Sequence, residues 1–388
     1  MSKTGKTIAE INARIKQGKA VVLNAAEMTE AVRRMGKTKA AREVDVVTTG
    51  TFSPMCSSGL LFNIGQQSPP ALRASSLSLN NVPACAGIAA VDAYLGATEP
   101  AADDPLNKVY PGKFAYGGGH VIEDLVSGKP VRLNASSYGT DCYPNKGIER
   151  EITLAQLPFA QLLNPRNCYQ NYNVAVNVTN RTIYTYLGPL RSNLRNANYA
   201  TAGLLSPLFN DPYLRTIGLG TKIFLGGGIG WVLGAGTQHN PSPKRTERGL
   251  PLSPAGTLML RGELKGMKGR YLRGLSLIGY GCSLAVGVGI PIPVLDEDMA
   301  WFTGVGNEDI LMPVKDYGFD APNCDSRVLK HVTFEELMNG EIDILGKRVE
   351  TVPLTSYAMS LEIADQLKTW IQRGEFTLTE AQEKIPSQ

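Results

Sequence analysis

Two of the six cysteines, Cys56 and Cys142, lie in polar turns of a kind that suits a reactive thiol. Cys56 stands between Pro54 and a Ser-Ser-Gly sequence that follows a short apolar segment. If a helix begins there, free backbone N–H groups and the positive end of the helix dipole favour the thiolate. Cys142 lies between Asp141 and Tyr143, again in a polar turn. The sequence therefore predicts a nucleophilic or redox role for these two thiols.

The other four cysteines carry weaker signals. Cys85 and Cys282 stand among small apolar residues and are interpreted as packing, Cys168 is intermediate, and Cys324 is expected to be exposed. No two cysteines are spaced as C-x-x-C, so a zinc-finger or ferredoxin motif is absent. The default expectation for such a chain is six reduced thiols.

A group of arginines and asparagines follows Cys142 and suits a small carboxylate substrate, because guanidinium and amide groups together bind carboxylates. The alternative interpretation is a set of solvated strand edges. The arginines are Arg166, Arg181, Arg191 and Arg195, with Asn164, Asn167, Asn171 and Asn173 among them.

The histidines and a glycine-rich segment allow two interpretations each. His120 and His239 adjoin glycine or asparagine loops, and either proton transfer or a structural hydrogen bond fits them, whereas His331 is expected to be solvated. Residues 228–234 (GIGWVLG) approximate a dinucleotide-binding fingerprint after a strand. Further glycine, asparagine and proline residues follow at once where a helix should begin, so close packing or a small ligand is the better explanation.

The elements that must position these groups alternate without a regular βαβ order, which favours an α+β fold with mixed sheets, flanking helices and glycine-rich loops. The expected division is one large catalytic domain over residues 1–350, with a helical segment over 351–388 packed on it. Helices are predicted at 7–18, 24–36, 120–126 and 357–374, a short apolar helix within 80–96, strands at 20–23, 45–50, 131–135 and 221–225, a β-hairpin at 172–187, and loops at 97–113 and 239–255.

Composition excludes several classes of protein. Apolar residues make up 43% and charged residues 19% of the 388 positions, which excludes a disordered chain. The net charge of +4 comes without a long basic run, so no nucleic-acid partner is expected. Residues 275–295 lack charge but contain glycines and prolines, which favours buried strands over a membrane span. The N-terminal residues lack an apolar signal sequence, so a cytoplasmic location is expected.

Several long motifs, taken in order, resemble the homocysteine-biosynthesis, sulfur-incorporation family, also called L-aspartate semialdehyde sulfurtransferases. The resemblance spans roughly residues 7–380. It is carried by residues 51–59 (TFSPMCSSG), 81–83 (NVP), 87–94 (GIAAVDAY), 118–125 (GGHVIEDL), 138–144 (YGTDCYP), 164–167 (NPRN), 169–176 (YQNYNVAV), 210–213 (NDPY), 223–230 (IFLGGGIG) and 236–239 (GTQH).

The resemblance implies a cytosolic enzyme that makes homocysteine, and hence serves methionine biosynthesis, from aspartate semialdehyde, sulfide and two electrons in anaerobes. The two family cysteines that carry sulfur match Cys56 and Cys142. A persulfide at Cys56 would attack the aldehyde, and Cys142 would resolve the adduct through a disulfide. The chain lacks the family's ferredoxin module and CBS pair, so a separate ferredoxin-type donor is expected. The oligomeric state, including a homodimer, stays open.

The remaining assignments are our own expectations. His120 or His239 would move protons, and Arg166 would hold the substrate α-carboxylate. The further residues expected to bind substrate are Ser57, Ser58, Asn167, Gly227 and Gly228.

Three alternatives stay open at this point. In the first, Cys56, Cys142 and either Cys85 or Cys168 hold a [4Fe-4S] cluster with one open iron, acting on this or another small aldehyde; dispersed ligands leave no sequence motif. In the second, the chain is a non-catalytic sulfur carrier. In the third, it is a regulator that binds a nucleotide through residues 226–236.

Overall fold

A computed structural model describes residues 5–65, 72–318 and 327–387. Cys324 lies outside the described residues. The fold is α+β, as expected, with helices packed against several sheets. The α-helices are α1 (Ile8–Lys16), α2 (Ala25–Glu43), α3 (Gly118–Val126), α4 (Pro207–Asn210), α5 (Glu297–Thr303), α6 (Phe334–Met338) and α7 (Tyr357–Gln372).

Most of the chain is in strands, and the longest of them belong to one sheet. The strands are β1 (Val22–Asn24), β2 (Val46–Thr48), β3 (Thr51–Pro54), β4 (Gly59–Asn63), β5 (Ser76–Leu79), β6 (Val82–Ala89), β7 (Asp92–Gly96), β8 (Val131–Ser136), β9 (Gly147–Ile152), β10 (Phe159–Asn167), β11 (Val174–Val176), β12 (Ile183–Thr185), β13 (Gly188–Leu190), β14 (Asn196–Tyr199), β15 (Gly218–Leu219), β16 (Lys222–Leu225), β17 (Gly228–Ala235), β18 (Leu258–Glu263), β19 (Leu272–Leu277), β20 (Gly281–Gly289), β21 (Pro291–Pro293), β22 (Leu311–Asp316), β23 (Val328–Thr333), β24 (Glu341–Ile344), β25 (Lys347–Pro353) and β26 (Glu383–Lys384).

The largest sheet has thirteen strands within the described ranges, in the order β19-β20-β16-β17-β18-β10-β4-β7-β6-β5-β8-β9, with β3 paired to β20 outside this path. A second sheet has the order β23-β22-β11-β14-β25-β24, and a three-stranded sheet joins β1, β2 and β21. Because β3 pairs with β20, the segment that leads to Cys56 is held by a strand that begins only at Gly281.

Local signals explain the helices that the sequence predicts correctly. Thr7 and Glu10 form a capping box at the start of α1, and Asn24 and Glu27 form another at the start of α2. Gly36 interrupts α2 with a positive φ of 76°, yet the chain resumes a helical path to Glu43, so the predicted end at Gly36 is only an interruption.

Two predicted elements are wrong. The stretch 80–96 forms the antiparallel strands β6 and β7 instead of a loop and a helix. The predicted hairpin at 172–187 is also absent, because β11 pairs with β14 and β22 while β12 pairs with β13. In both places the structure depends on which strands pair with each other. Small residues and short apolar runs give no periodic pattern in the sequence from which these partners could be predicted.

Helix α7 packs on the sheet that carries β3 and β20. Its buried residues Ile363, Leu367 and Ile371 share an apolar cluster with Phe224 and Phe376. A Cβ at Gly50 would lie 2.0 Å from the Ser360 carbonyl oxygen, so the backbone just before β3 fits against α7 only without a side chain. Among the described helices, none has the length and apolar character needed to cross a bilayer.

Candidate active site

Cys56 lies in a tight turn between β3 and β4, not at the start of a helix, so the helix-dipole argument for its reactivity does not hold. Antiparallel pairing of β3 with β20 places Pro54 opposite Ala285. Beyond the strand, the Met55 amide donates to the Leu284 carbonyl at 2.8 Å. The half-buried thiol therefore follows a backbone that is fixed up to the preceding residue.

Both serines after Cys56 fasten the turn. The Ser57 hydroxyl donates to the Arg166 carbonyl at 3.0 Å, and the buried Ser58 hydroxyl donates to the Met55 carbonyl at 2.7 Å. The Asn164 amide then donates to the Ser58 hydroxyl oxygen at 2.5 Å. The end of β10 thus holds the Cys56 turn through two of the residues expected to bind substrate.

A cavity of about 50 Å³ opens beside the thiol. Its lining is apolar and aromatic, with the hydroxyls of tyrosines and one serine as the polar groups. The lining residues are Pro54, Met55, Cys56, Tyr169, Tyr172, Tyr186, Leu187, Ala200, Leu277, Ser283 and Leu354. This mixture of apolar walls and a few polar groups is typical of a small-molecule site.

Three tyrosine hydroxyls form a chain that leads away from the cavity. Tyr172 donates to Tyr186 at 2.9 Å, the Tyr186 and Tyr317 hydroxyls are 2.8 Å apart, and the Asn173 amide donates to Tyr317 at 3.0 Å. Burial raises the pKa values of the Tyr172 and Tyr186 hydroxyls. These hydroxyls therefore stay neutral at physiological pH and act as hydrogen-bonding groups.

Tyr280 lies close to Cys56, whose side chain also acts on Tyr169 and Tyr172. Burial, and then the nearby Cys56 side chain, raise the pKa of the Tyr280 hydroxyl to about 12. Its ring also meets Tyr186 edge-on, with the centroids 6.1 Å apart. The Tyr280 hydroxyl therefore stays protonated at neutral pH and is available as a hydrogen-bond donor near Cys56.

Arg166 supplies the positive charge near the cavity. Its guanidinium carbon lies 5.9 Å from the centre of the Tyr169 ring, and its charge acts on Tyr169, Tyr172 and Tyr280. The Arg166 Nε atom is buried and makes no hydrogen bond to the described residues. Asn167 is buried as well, with its Oδ1 accepting from the Cys168 amide at 2.6 Å. An orphaned guanidinium N–H beside a cavity is suited to an anionic ligand.

Cys142 adjoins a different part of the large sheet from Cys56. It is exposed in the loop between β8 and β9, where its sulfur is 3.5 Å from the Thr140 hydroxyl. Strands β4 and β8 run in the same direction with three strands between them, so four spacings of about 4.8 Å, or about 19 Å, separate them. Cys56 precedes β4 whereas Cys142 follows β8, so the two cysteines adjoin opposite ends of these strands.

The geometry does not fit a cluster held by the cysteines suggested for it. Cys85 is exposed on β6, and Cys168 is buried near Met55 at the end of β10. Within the described ranges, no three or more His, Cys, Asp or Glu side chains are grouped so as to hold a metal ion. We therefore derive no step through an iron–sulfur cluster.

Neither candidate histidine lines the cavity. His120 lies near the start of α3, stacked on Tyr116, and burial lowers the pKa of its imidazole while Glu123 and Asp124 oppose this. His239 has Nε2 at 2.8 Å from the Pro386 carbonyl oxygen and Nδ1 against the backbone of Thr257. The contacts of His239 are those of a structural residue.

Of the two glycines expected to bind substrate, Gly227 lies in the turn between β16 and β17, and Gly228 begins β17. A Cβ at Gly227 would lie 2.7 Å from the Tyr271 ring, and one at Gly228 would lie 2.6 Å from the Gly266 carbonyl oxygen. Their surroundings are therefore filled by protein. Residues 228–235 continue as strand β17, so the helix of a dinucleotide site is absent here.

Two of the other predicted arginines belong to a different surface. Arg191 pairs with Glu350 and lies with Arg195 along a groove at the second sheet. Arg166, by contrast, acts on the tyrosines of the cavity.

Sequence reasoning missed the walls of the cavity. They come from Tyr169, Tyr172 and Tyr186, and from Leu277 and Ser283 of the β19–β20 hairpin. The local signal in the sequence is the group of tyrosines between 169 and 186, in a stretch whose alternation predicts strands. Nothing near Ser283 in the sequence points to Cys56.

The family described as "Homocysteine biosynthesis enzyme, sulfur-incorporation" matches residues 20–378. A relative from Methanosarcina acetivorans named "L-aspartate semialdehyde sulfurtransferase" is 47% identical over 380 residues, covering 98% of this chain and 72% of the relative. One of the same name from Methanocaldococcus jannaschii is 46% identical over 388 residues, covering 97% and 72%. An uncharacterized protein from Methanothermobacter thermautotrophicus is 30% identical, covering 86% and 72%. No solved structure matches the chain.

Proposed function

The chain belongs to the family of sulfur-incorporating homocysteine biosynthesis enzymes, and we propose that it incorporates sulfur into L-aspartate semialdehyde to make homocysteine at Cys56. The observation that carries the proposal is the half-buried Cys56 thiol on the wall of a small cavity, with Arg166 close to the same tyrosines. Membership of an enzyme family removes the grounds for a non-catalytic carrier or a nucleotide-dependent regulator.

The overall reaction joins the aldehyde with hydrogen sulfide, two electrons and two protons, and it yields homocysteine and one water. Sulfide first attacks a Cys56 disulfide, leaving a Cys56 persulfide and a free partner thiol. The persulfide sulfur adds to the aldehyde carbon while a proton moves to the oxygen. The partner thiol re-forms the disulfide and releases the sulfur-bearing carbon, which loses water to give a thioaldehyde. Two electrons from a separate ferredoxin-type donor, with two protons, reduce the thioaldehyde to the thiol.

Cys142 is the partner thiol proposed in that cycle. Its exposure makes it reachable by another protein or by a second copy of the chain. A disulfide requires the two Cα atoms to lie within about 7 Å of each other. Cys56 and Cys142 of one chain adjoin opposite ends of separate strands and do not meet this requirement. The proposal therefore needs Cys142 to reach the site from a second copy.

Arg166 is proposed to bind the α-carboxylate of the substrate. Its buried Nε lacks a partner among the described residues, and a guanidinium next to a carboxylate gains charge-assisted hydrogen bonds. Ser57 and Ser58 shape the turn through the contacts described above, and Asn167 caps the end of β10. We assign no proton transfer to His120 or His239, because neither lines the cavity.

The test is an anaerobic assay of homocysteine formation from aspartate semialdehyde, sulfide and a chemical reductant. Wild type should form product, while Cys56→Ala and Cys142→Ala should form none. Cys85→Ala is the matched control, since Cys85 is exposed on β6 and does not line the cavity. Product from Cys56→Ala at the wild-type rate would refute the proposal. Iron measured in the same preparations would reveal a cluster with ligands other than those considered above.

A further inference from the structure

The β19–β20 hairpin brings two hydroxyl groups to the Cys56 site. Ser283 lines the cavity from β20, and Tyr280 precedes that strand, near Cys56 and with its ring edge-on to the cavity residue Tyr186. The two residues approach the thiol from one short stretch of backbone, more than two hundred positions away from Cys56 in the sequence.

The Ser283 hydroxyl is free to form a hydrogen bond with a ligand. Its side chain is fully buried, and its Oγ atom makes no hydrogen bond to any described residue. A buried hydroxyl without a hydrogen-bond partner destabilises the fold, so such groups in native proteins call for an explanation. Here the unpartnered hydroxyl belongs to the wall of the cavity that Cys56 also lines.

The backbone holds the hairpin in place. Gly279 has a positive φ of 72°, and its amide donates to the Gly112 carbonyl at 2.9 Å. A Cβ at Gly279 would lie 2.4 Å from the Tyr184 ring, so the turn fits only with glycine there. On the other side, β20 is fixed to β3 at Pro54 and Ala285. The two hydroxyls are therefore positioned before any ligand arrives.

We propose that Ser283 and Tyr280 form an oxyanion site, in which their hydroxyls donate hydrogen bonds to the oxygen of the aldehyde attacked at Cys56. This inference rests on the proposed function for the identity of the aldehyde. When the sulfur adds to the carbonyl carbon, the C–S bond forms, the C=O π bond opens and negative charge develops on the oxygen. The proton released from the S–H group ends on that oxygen, and no electrons are gained or lost.

Fixed donors in an apolar cavity stabilise such a charge more than water does, because they need no reorganisation during the reaction. The apolar neighbours Leu187, Leu277 and Leu354 limit the competing water. Two hydrogen-bond donors from one hairpin are enough for an oxyanion site. Neither donor is predicted from the sequence.

The test uses ¹³C-labelled succinic semialdehyde, which lacks the α-amino group, as a probe for addition of the reduced Cys56 thiol. Carbon NMR reports the thiohemiacetal, and its dissociation constant is measured for wild type, Ser283→Ala and Tyr280→Phe. Each variant should weaken the adduct about fivefold, the value of one hydrogen bond of about 1 kcal/mol. Cys56→Ala should form no adduct. Iodoacetamide should alkylate Cys56 in both hydroxyl variants within twofold of the wild-type rate.

Two matched controls lie outside the cavity. Ser276→Ala removes a hydroxyl from β19 that donates to the Phe114 carbonyl, and Tyr110→Phe removes an exposed phenol hydroxyl. Both controls should bind the probe as wild type does. In the homocysteine assay, Ser283→Ala should lower kcat by about 10²-fold with little change in KM, since the donor acts on the developing charge.

The outcomes separate the two proposals. Unchanged adduct affinity in Ser283→Ala and Tyr280→Phe, or no wild-type adduct, would overturn the oxyanion site even if homocysteine forms. Weakened adducts in a protein that makes no homocysteine would sustain the oxyanion site and refute the proposed substrate. If Ser283→Ala does not fold, Tyr280→Phe, at a position that is 40% exposed, decides the question.

Discussion

The hydroxyl of Ser57 donates to the backbone carbonyl of Arg166 at 3.0 Å, so the nucleophile's turn and the strand that carries the candidate anion-binding residue move as one unit. A substrate held at Arg166 therefore meets a sulfur whose position is already set. A fixed distance between the group that binds the substrate and the nucleophile holds the reacting atoms in the correct geometry, which lowers the activation free energy.

Removing the Arg166 charge should weaken substrate binding. In Arg166→Gln we expect KM for aspartate semialdehyde to rise about 10- to 100-fold, the value of a charge-assisted hydrogen bond. Steady-state kinetics with 3-aminopropanal, which lacks the carboxylate, should show no such difference between wild type and variant. Arg191→Gln is the control, because Arg191 pairs with Glu350 at the second sheet. A KM increase of equal size for both aldehydes would contradict the assignment.

Mixing two inactive variants tests where Cys142 acts. We expect Cys56→Ala and Cys142→Ala, denatured together and refolded, to recover about a quarter of wild-type activity if random pairing into symmetric dimers restores one site in each mixed pair. We expect this because the two cysteines of one chain adjoin opposite ends of separate strands, so that Cys142 would have to come from the other chain. Mass spectrometry of the oxidised protein should find the Cys56–Cys142 disulfide between chains. A disulfide within one chain would contradict this arrangement.

The tyrosine chain should contribute to stability. Tyr186→Phe removes the hydroxyl that links Tyr172 with Tyr317 and leaves both without that partner. We expect the free energy of unfolding to fall by about 1–3 kcal/mol, measured by urea denaturation. Tyr110→Phe, at a position 80% exposed, should stay within about 0.5 kcal/mol of wild type. Equal effects of the two substitutions would show that the hydrogen bonds between the tyrosine hydroxyls do not contribute to the free energy of unfolding.

His120 should make the fold sensitive to acid. Burial lowers the pKa of its imidazole, so the folded state resists protonation more than the unfolded chain does. The stabilising contribution is full above the unfolded value of about 6.5 and is lost as pH falls through the lower folded value. Urea midpoints at pH 7.5 and 5.5 should differ less in His120→Gln than in wild type. His331→Gln, with an exposed side chain, should keep the wild-type difference.

The sequence predicts the parts of this site that lie close together along the chain. The Pro and Ser neighbours of Cys56 identify the turn, and the spacing of Leu361, Ala364, Leu367 and Ile371 identifies α7. The helix expected at Cys56 is wrong because pairing with β20 extends the chain there, and β20 begins at Gly281. Tyr280 and Ser283 are unpredictable for the same reason: their importance arises only from strand pairing between distant segments.

That pairing also sets the order of events during synthesis. Cys56 emerges early, but β20, which completes its pocket, follows only after most of the chain has been made. At roughly 5–20 residues per second, the thiol waits on the order of tens of seconds without its pocket. Throughout that time Cys56 is an unprotected thiol on a nascent chain, open to any oxidant or electrophile. Redox conditions at the ribosome therefore affect the fraction of molecules that complete synthesis with an unmodified Cys56 thiol.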